Sequence, residues 1–347
     1  MKPKQLLTLL TILTTFIGYA QNTITVDNNL GVVEVPNLIY ANLQDAIDAA
    51  VNGVTLYIQP SATSYGDAIL NKQLSFIGRS HSENNKISYV DNIEIYPNAS
   101  GSIFSGLYFT DKIYFTDENT VNNLIFKNNY INWIDFDFTT GGINNFILTG
   151  NVVNILGAPS SITSPIQNGV ITNNIFLDDI YIFYPETVTI KNNIFFCYTS
   201  QILITNESGN NTELVIENSI ILKLNANSGD VSANDNIQFT NCLTYSPNGD
   251  IFNVLAGSGN LSNINPQFVN VTDNVFDAYN DDYHLQAGSP AIGAGTDGED
   301  IGLYNSSGYL FNMLGITYGL PSVNITNITQ TVQEGEPLQV TIQASSN

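Results

Sequence analysis

The chain has 347 residues, with 9 Lys+Arg against 31 Asp+Glu and a formal net charge of −22. Only 12% of residues are charged while 43% are hydrophobic, which excludes a disordered polyelectrolyte and leaves enough apolar matter for a sizeable core. The negative field makes nucleic acid and anionic membrane surfaces poor partners.

Residues 1–20 read as a signal peptide. Lys2 and Lys4 give a positive start, Leu6 to Ile17 a short apolar stretch, and Gly18-Tyr19-Ala20 small residues at the −3 and −1 positions, so cleavage is expected before Gln21. The apolar stretch is too short and too rich in threonine to span a bilayer, and no later run approaches ~18 apolar residues. The expectation is a secreted or cell-surface protein, monomeric, with no membrane insertion of the mature chain.

Residues 42–52 read as the one helix. Asn42 is an N-cap, and Leu43, Ala46, Ile47, Ala50 and Val51 share a face at i, i+3, i+4, i+7 and i+8. Gly53 is expected to stop it at C′, before the strand Val54 to Ile58. Beyond this the chain repeats. Leu124-Ile-Phe-Lys-Asn-Asn-Tyr-Ile131, Phe146-Ile-Leu-Thr-Gly-Asn-Val-Val153 and Val188-Thr-Ile-Lys-Asn-Asn-Ile-Phe195 are three of its copies, anchored at Ser105, Asn128, Gly150, Asn173, Asn192, Asn218 and Asn241. A period near 22 residues means a solenoid. A leucine-rich repeat would need a helical return in each unit. Here the returns, such as Asn132-Trp-Ile-Asp-Phe-Asp-Phe-Thr139, alternate and are aromatic and β-branched, as strands are. The 48 asparagines suit the corners of a parallel β-helix, because Asn tolerates left-handed backbone and its amides can bond from rung to rung. In the strand before each anchor, the outward pairs are expected at 125/127, 147/149, 170/172, 189/191, 215/217 and 238/240.

Two end segments carry a resemblance. Leu43 to Ile58 with Ala68 to Gly78 resembles the N-terminal cap and first coil of the right-handed parallel β-helix proteins of the pectate-lyase-like superfamily. Ile264-Asn-Pro-Gln-Phe-Val269, Asp282 to Gly295 and Asp300-Ile-Gly302 resemble the closing segment of exported bacterial members. The resemblance implies an all-β right-handed parallel β-helix solenoid with an N-terminal capping α-helix over residues 21–305. Residues 306–347 form a C-terminal extension of one or two strands, read first as a strand packed along the solenoid and second as a truncated Ig-like module.

The superfamily's enzymes act on acidic polysaccharides, and the resemblance lets their requirements be checked. A lyase needs a basic cluster beside bound Ca²⁺. After the signal peptide the chain has one Arg (Arg79) and six Lys, and Lys127 and Lys191 stand three coils apart. A polygalacturonase-like hydrolase needs grouped Asp with Gly-His-Gly and Arg-Ile-Lys segments, and neither segment is present. The chain is therefore expected to be a non-catalytic surface or glycan-binding protein. Two alternatives stand beside it, a polysaccharide lyase or glycoside hydrolase with an atypical site, and a structural spacer. The ligand-facing residues are expected to be Trp133, Asp135 and Asp137 on one strand, pointing outward while Phe136 and Phe138 turn in, joined by Asp178, Asp179 and Tyr181 on a nearby coil. The plainer reading of these carboxylates is a solvated acidic face. Asp297, Glu299 and Asp300 could ligate Ca²⁺ but match no EF-hand, and no cofactor is otherwise expected. Arg79, His81 and Glu83 read as a polar surface loop, and His284 as a half-buried packing residue. Cys197 and Cys242 fall two coils apart, ~9.6 Å at the strand spacing and beyond bridging distance, which predicts two free thiols.

Overall fold

The computed structural model describes residues 23–116, 119–136, 141–157, 166–182, 187–197, 204–206, 213–223, 236–251, 254–271, 275–304, 310–317, 319–328, 335 and 338–346. The signal segment lies outside them, as do Asp137 and Phe138.

The repeat asparagines stand where most L-residues resist. Asn128, Asn173, Asn192, Asn218 and Asn241 have φ between 47° and 57°, and Gly106, Gly150 and Gly259 hold the equivalent corners. The first anchor is thus Gly106 rather than Ser105, because Ser105 pairs with Lys127. A second left-handed corner runs through Gly101, Asn123, Asn145 and Asn168. The residue after each anchor turns inward. There Asn151 donates to Asn174 Oδ1 (3.1 Å), Asn174 to Asn193 Oδ1 (3.1 Å), and Asn129 to Asn151 Oδ1 (3.0 Å). Rung-to-rung amide bonding is present, one residue later than the anchors.

With one left-handed corner in each coil from Gly106 to Gly259 and a second in four of them, the chain stacks as a parallel β-helix. One sheet has twelve strands, running from the edge Ile39–Tyr40 through Ser75–Gly78 and Ile147–Thr149 to Gly257–Ser258. A second, with nine strands along its path and three more paired beside it among the described residues, takes the strand that follows in each coil, and three short strands make a third. Parallel registers link each coil to the next, as in Ile125↔Ile147 and Ile147↔Val170. The expected outward pairs are all at least partly exposed, while Phe126, Leu148, Ile171, Ile190, Ile216 and Phe239 between them are buried. Phe76, Phe104 and Phe126 stack along the axis with centroids 4.9 and 4.7 Å apart.

Helix α1 (Leu43–Ala49) closes the N-terminal end, with Asn42 Oδ1 accepting from Asp45 N at 3.1 Å. It stops a turn earlier than the apolar spacing suggests. Ala50 is already extended, Val51 is 61% exposed, and Lys72 Nζ takes the carbonyls of Asp48 and Ala50. Gly53 (φ 85°) serves the following turn rather than a C′ cap.

The largest departure from expectation is a second core outside the solenoid. In the second sheet Ile175-Phe-Leu177, Ile194-Phe-Phe196 and Ile220-Ile-Leu222 are buried at consecutive positions, so both faces are covered. Phe176, Phe195 and Ile221 point in; Ile175, Ile194, Phe196, Ile220 and Leu222 pack outward against Tyr283, Ala291, Ile301, Leu303 and Phe311. The chain after Leu261 thus folds back over the second sheet. It then runs along the left-handed corners toward the start. Asn241 donates to Thr296 Oγ1, Asn192 to Gly302 O (3.1 Å), Asn173 to Leu303 O (2.8 Å), and Thr317 Oγ1 to Gly78 O (2.9 Å). Pro321–Ile328 and Val340–Ser346 form an antiparallel hairpin.

The strap seals His81. His81 and Ser80 are fully buried, and the amides of His81 and Ser82 and the Ser80 hydroxyl all donate to Leu314 O. Of the expected surface loop, His81 is thus an interior contact, while Arg79 and Glu83 remain partly exposed. His284 is half-exposed and packs as expected, paired with Asp282 at 2.6 Å and stacked on Tyr304 at 3.6 Å.

Cys242 is buried and free. Cys197 closes the strand Ile194–Cys197, whose neighbour Ile220–Lys223 in turn pairs Leu243–Tyr245, so two coils separate the cysteines. Thiol titration of denatured, unreduced protein should give two per chain; a count of zero would contradict this register.

Candidate functional site

The strand Tyr130–Asp135 of the second sheet bends at Asn132-Trp133; Tyr130 still packs against the C-terminal cover, whereas Trp133 and Asp135 lie outside that packed cluster. Ile131 and Ile134 are both buried although three residues apart, which marks the bend; Trp133 and Asp135 then point outward and Phe136 inward, as expected. One coil earlier, Phe109 pairs with Ile131 but Lys112 pairs with Trp133, so the strand Tyr108–Phe115 carries an extra residue around Thr110-Asp111. That bulge aims Lys112 at the strand above it. Its Nζ lies 3.6 Å from the Trp133 ring centroid and 3.2 Å from Asp135 Oδ2. A step of 22 residues from Trp133 lands on Asp111, which is why repeat arithmetic misses Lys112.

Trp133 is thereby held on two sides. Its indole N–H donates to Gly157 O at 2.7 Å, and the Lys112 ammonium covers one ring face. Gly157 is required where it is: its φ is 90°, and a Cβ would press on the backbone of Tyr181. On the coil beyond, Ile180 pairs with Leu156, which brings Asp179 and Tyr181 onto the same face as Trp133 and Asp135, two coils away or ~9.6 Å. Tyr181 donates to Asp179 Oδ2 at 3.2 Å. Burial, and then the neighbouring Asp179 charge, raises the Asp178 carboxyl above its usual range; burial also raises Asp179, opposed by the Tyr181 hydroxyl.

Lys112, Tyr114, Phe115 and Asp135 line an open hollow of ≈ 320 Å³. Tyr114 is 36% exposed, and Glu94 pairs with it in register. Burial, followed by the charges of Glu94 and Asp67, raises the Tyr114 phenol. The face thus combines aromatic rings, acceptors and one cation in a negative field. Lys112 and Tyr114 join it unforeseen.

Asp297, Glu299 and Asp300 do not converge. Glu299 pairs with Lys191 at 2.8 Å, Asp300 accepts from Gly293 N at 2.8 Å, and Asp297 sits in a turn at φ 60°. Among the described residues no three His, Cys, Asp or Glu side chains gather as a metal site. No helix among them is long and apolar enough to cross a membrane. Comparison with protein-family models and with curated proteins finds no match.

Proposed function

We propose that the protein is an exported, non-catalytic β-helix of the pectate-lyase-like kind that binds a polysaccharide on the outward face of its second sheet. The hollow between Lys112, Tyr114 and Asp135 carries this reading. An exposed phenol offers an apolar face to sugar C–H groups, while a paired ammonium and carboxylate offer donors and acceptors to hydroxyls. With Glu94, Asp135 and Asp179 against one lysine, the face favours a neutral or amino-bearing glycan over a uronate chain.

A polysaccharide panel immobilised in gels, scored for retention and for product, tests the proposal. Retention without new reducing ends or unsaturated products is expected. Tyr114→Ala should weaken retention about tenfold, the ~1.4 kcal/mol of one aromatic contact, and bound glycan should shift the emission of Trp133, the sole tryptophan. The raised carboxyls of Asp178 and Asp179 favour the alternative, a glycoside hydrolase. Release of reducing ends that Asp179→Asn abolishes would establish that reading and sink the binder.

A further inference from the structure

A second hollow lies at the other end of the molecule, where the C-terminal cover meets the last coils of the second sheet. It holds ≈ 200 Å³ and is bounded by Leu222, Tyr245 and Phe268 on its apolar side and by Asn265, Gln267 and Gln286 on its polar side. None of the described residues lining it is charged, in a chain of net charge −22. The volume is below the roughly 300–1,000 Å³ of sites that take drug-sized molecules, so it suits one small ring.

The polar groups here are only partly used. Gln286 Nε2 donates to Phe268 O at 2.7 Å, which leaves its Oε1 as an acceptor. Asn265 Oδ1 accepts from Gln267 N at 2.8 Å, leaving its amide N–H groups as donors. The Gln267 side-chain amide makes no hydrogen bond among the described residues, and its backbone stands at φ 53°, a conformation that costs a glutamine energy. The strand pairing of Phe268 with Leu285 and the bond from Gln286 N to Gln267 O hold that residue in place. Neutral amide donors and acceptors opposite two aromatic rings match a ring of hydroxyls with apolar C–H faces. A carboxylate here would find no cation to pair it, in a chain already strongly negative.

We propose that this hollow is a binding site for a single uncharged sugar residue, separate from the sheet face. The test uses the full chain and four probes, the methyl β-glycosides of glucose, galactose, xylose and mannose, followed by ligand-observed NMR titration. At least one should saturate, and methyl β-glucuronide should bind at least tenfold more weakly than the glucoside. Gln267→Gly suits the left-handed backbone, so it should fold with an unchanged or raised melting midpoint and lose affinity at least tenfold. Gln267→Asn keeps an amide and should retain binding within about threefold. Tyr114→Ala should leave it unchanged. The site is overturned if no glycoside saturates, if Gln267→Gly binds as tightly, or if the glucuronide binds equally well. Loss of binding in Tyr114→Ala instead would also overturn it, while leaving the sheet-face proposal standing.

Discussion

Asn151→Ala is expected to destabilise the protein by about 3–5 kcal/mol, although it removes only one amide. Asn151 Oδ1 accepts from Asn129 N (2.9 Å) and Asn129 Nδ2 (3.0 Å), while its Nδ2 donates to Phe126 O, Thr149 O and Asn174 Oδ1. All of this lies inside the solenoid, where Asn129, Asn151 and Asn174 are fully buried. Alanine orphans the Asn129 N–H where water cannot reach it, at ~1–3 kcal/mol, and forfeits the remaining bonds at ~1 kcal/mol or less each. Asn144→Ala is the control. Its amide also bonds rung to rung, to Asn122 and from Asn168, but on the partly exposed corner, so about 1 kcal/mol is expected. Urea unfolding followed by circular dichroism measures both; equal effects would show that burial of the ladder contributes nothing.

The two asparagine rows explain how much of the fold was legible. Period and residue type identified the coil, because a left-handed corner admits little besides Asn and Gly, and both recur there. The outward and inward parity of the first sheet followed from alternation alone. The second core did not follow, yet its signal was present. Ile194-Phe-Phe196 and Ile220-Ile-Leu222 do not alternate, and an unbroken apolar strand is one covered on both faces. What covers them could not be read locally, since Tyr283, Leu303 and Phe311 lie some 60 to 130 residues away in sequence from the strands they pack on. In the candidate site, the outward direction of Trp133 and Asp135 followed from strand parity, whereas the place of Asp179 and Tyr181 on the same face comes from the register Ile134↔Leu156↔Ile180. Lys112 and Tyr114 were hidden by a one-residue bulge, which shifts register without any mark in composition.

The second prediction of large effect concerns acid. His81 is sealed beneath the returning strap, its Nε2 buried without a partner and its Nδ1 2.7 Å from Ser82 Oγ. Burial lowers its pKa to about 3, against 6.5 in the unfolded chain. Below pH 6.5 the unfolded state therefore binds a proton that the folded state refuses. The stability tied to this group is complete above 6.5 and is lost as pH falls toward 3, at ~1.4 kcal/mol per pH unit. Between pH 6.5 and 4.5 that amounts to roughly 2–3 kcal/mol. His81→Gln keeps a polar side chain beside Ser82 and cannot titrate. The stability difference between wild type and His81→Gln should accordingly shift by that amount across the window, with contributions from all other groups cancelling. Parallel stability curves would mean that the ring is solvated in the folded protein. Gly315→Ala probes the seal itself. Gly315 has φ 62°, and a Cβ there would overlap the His81 ring, so the strap must lift. Stability at pH 7 should then fall, by the strain and the lost contacts with Leu314. Because the imidazole regains water and its pKa rises toward 6.5, the acid limb should become shallower than in wild type.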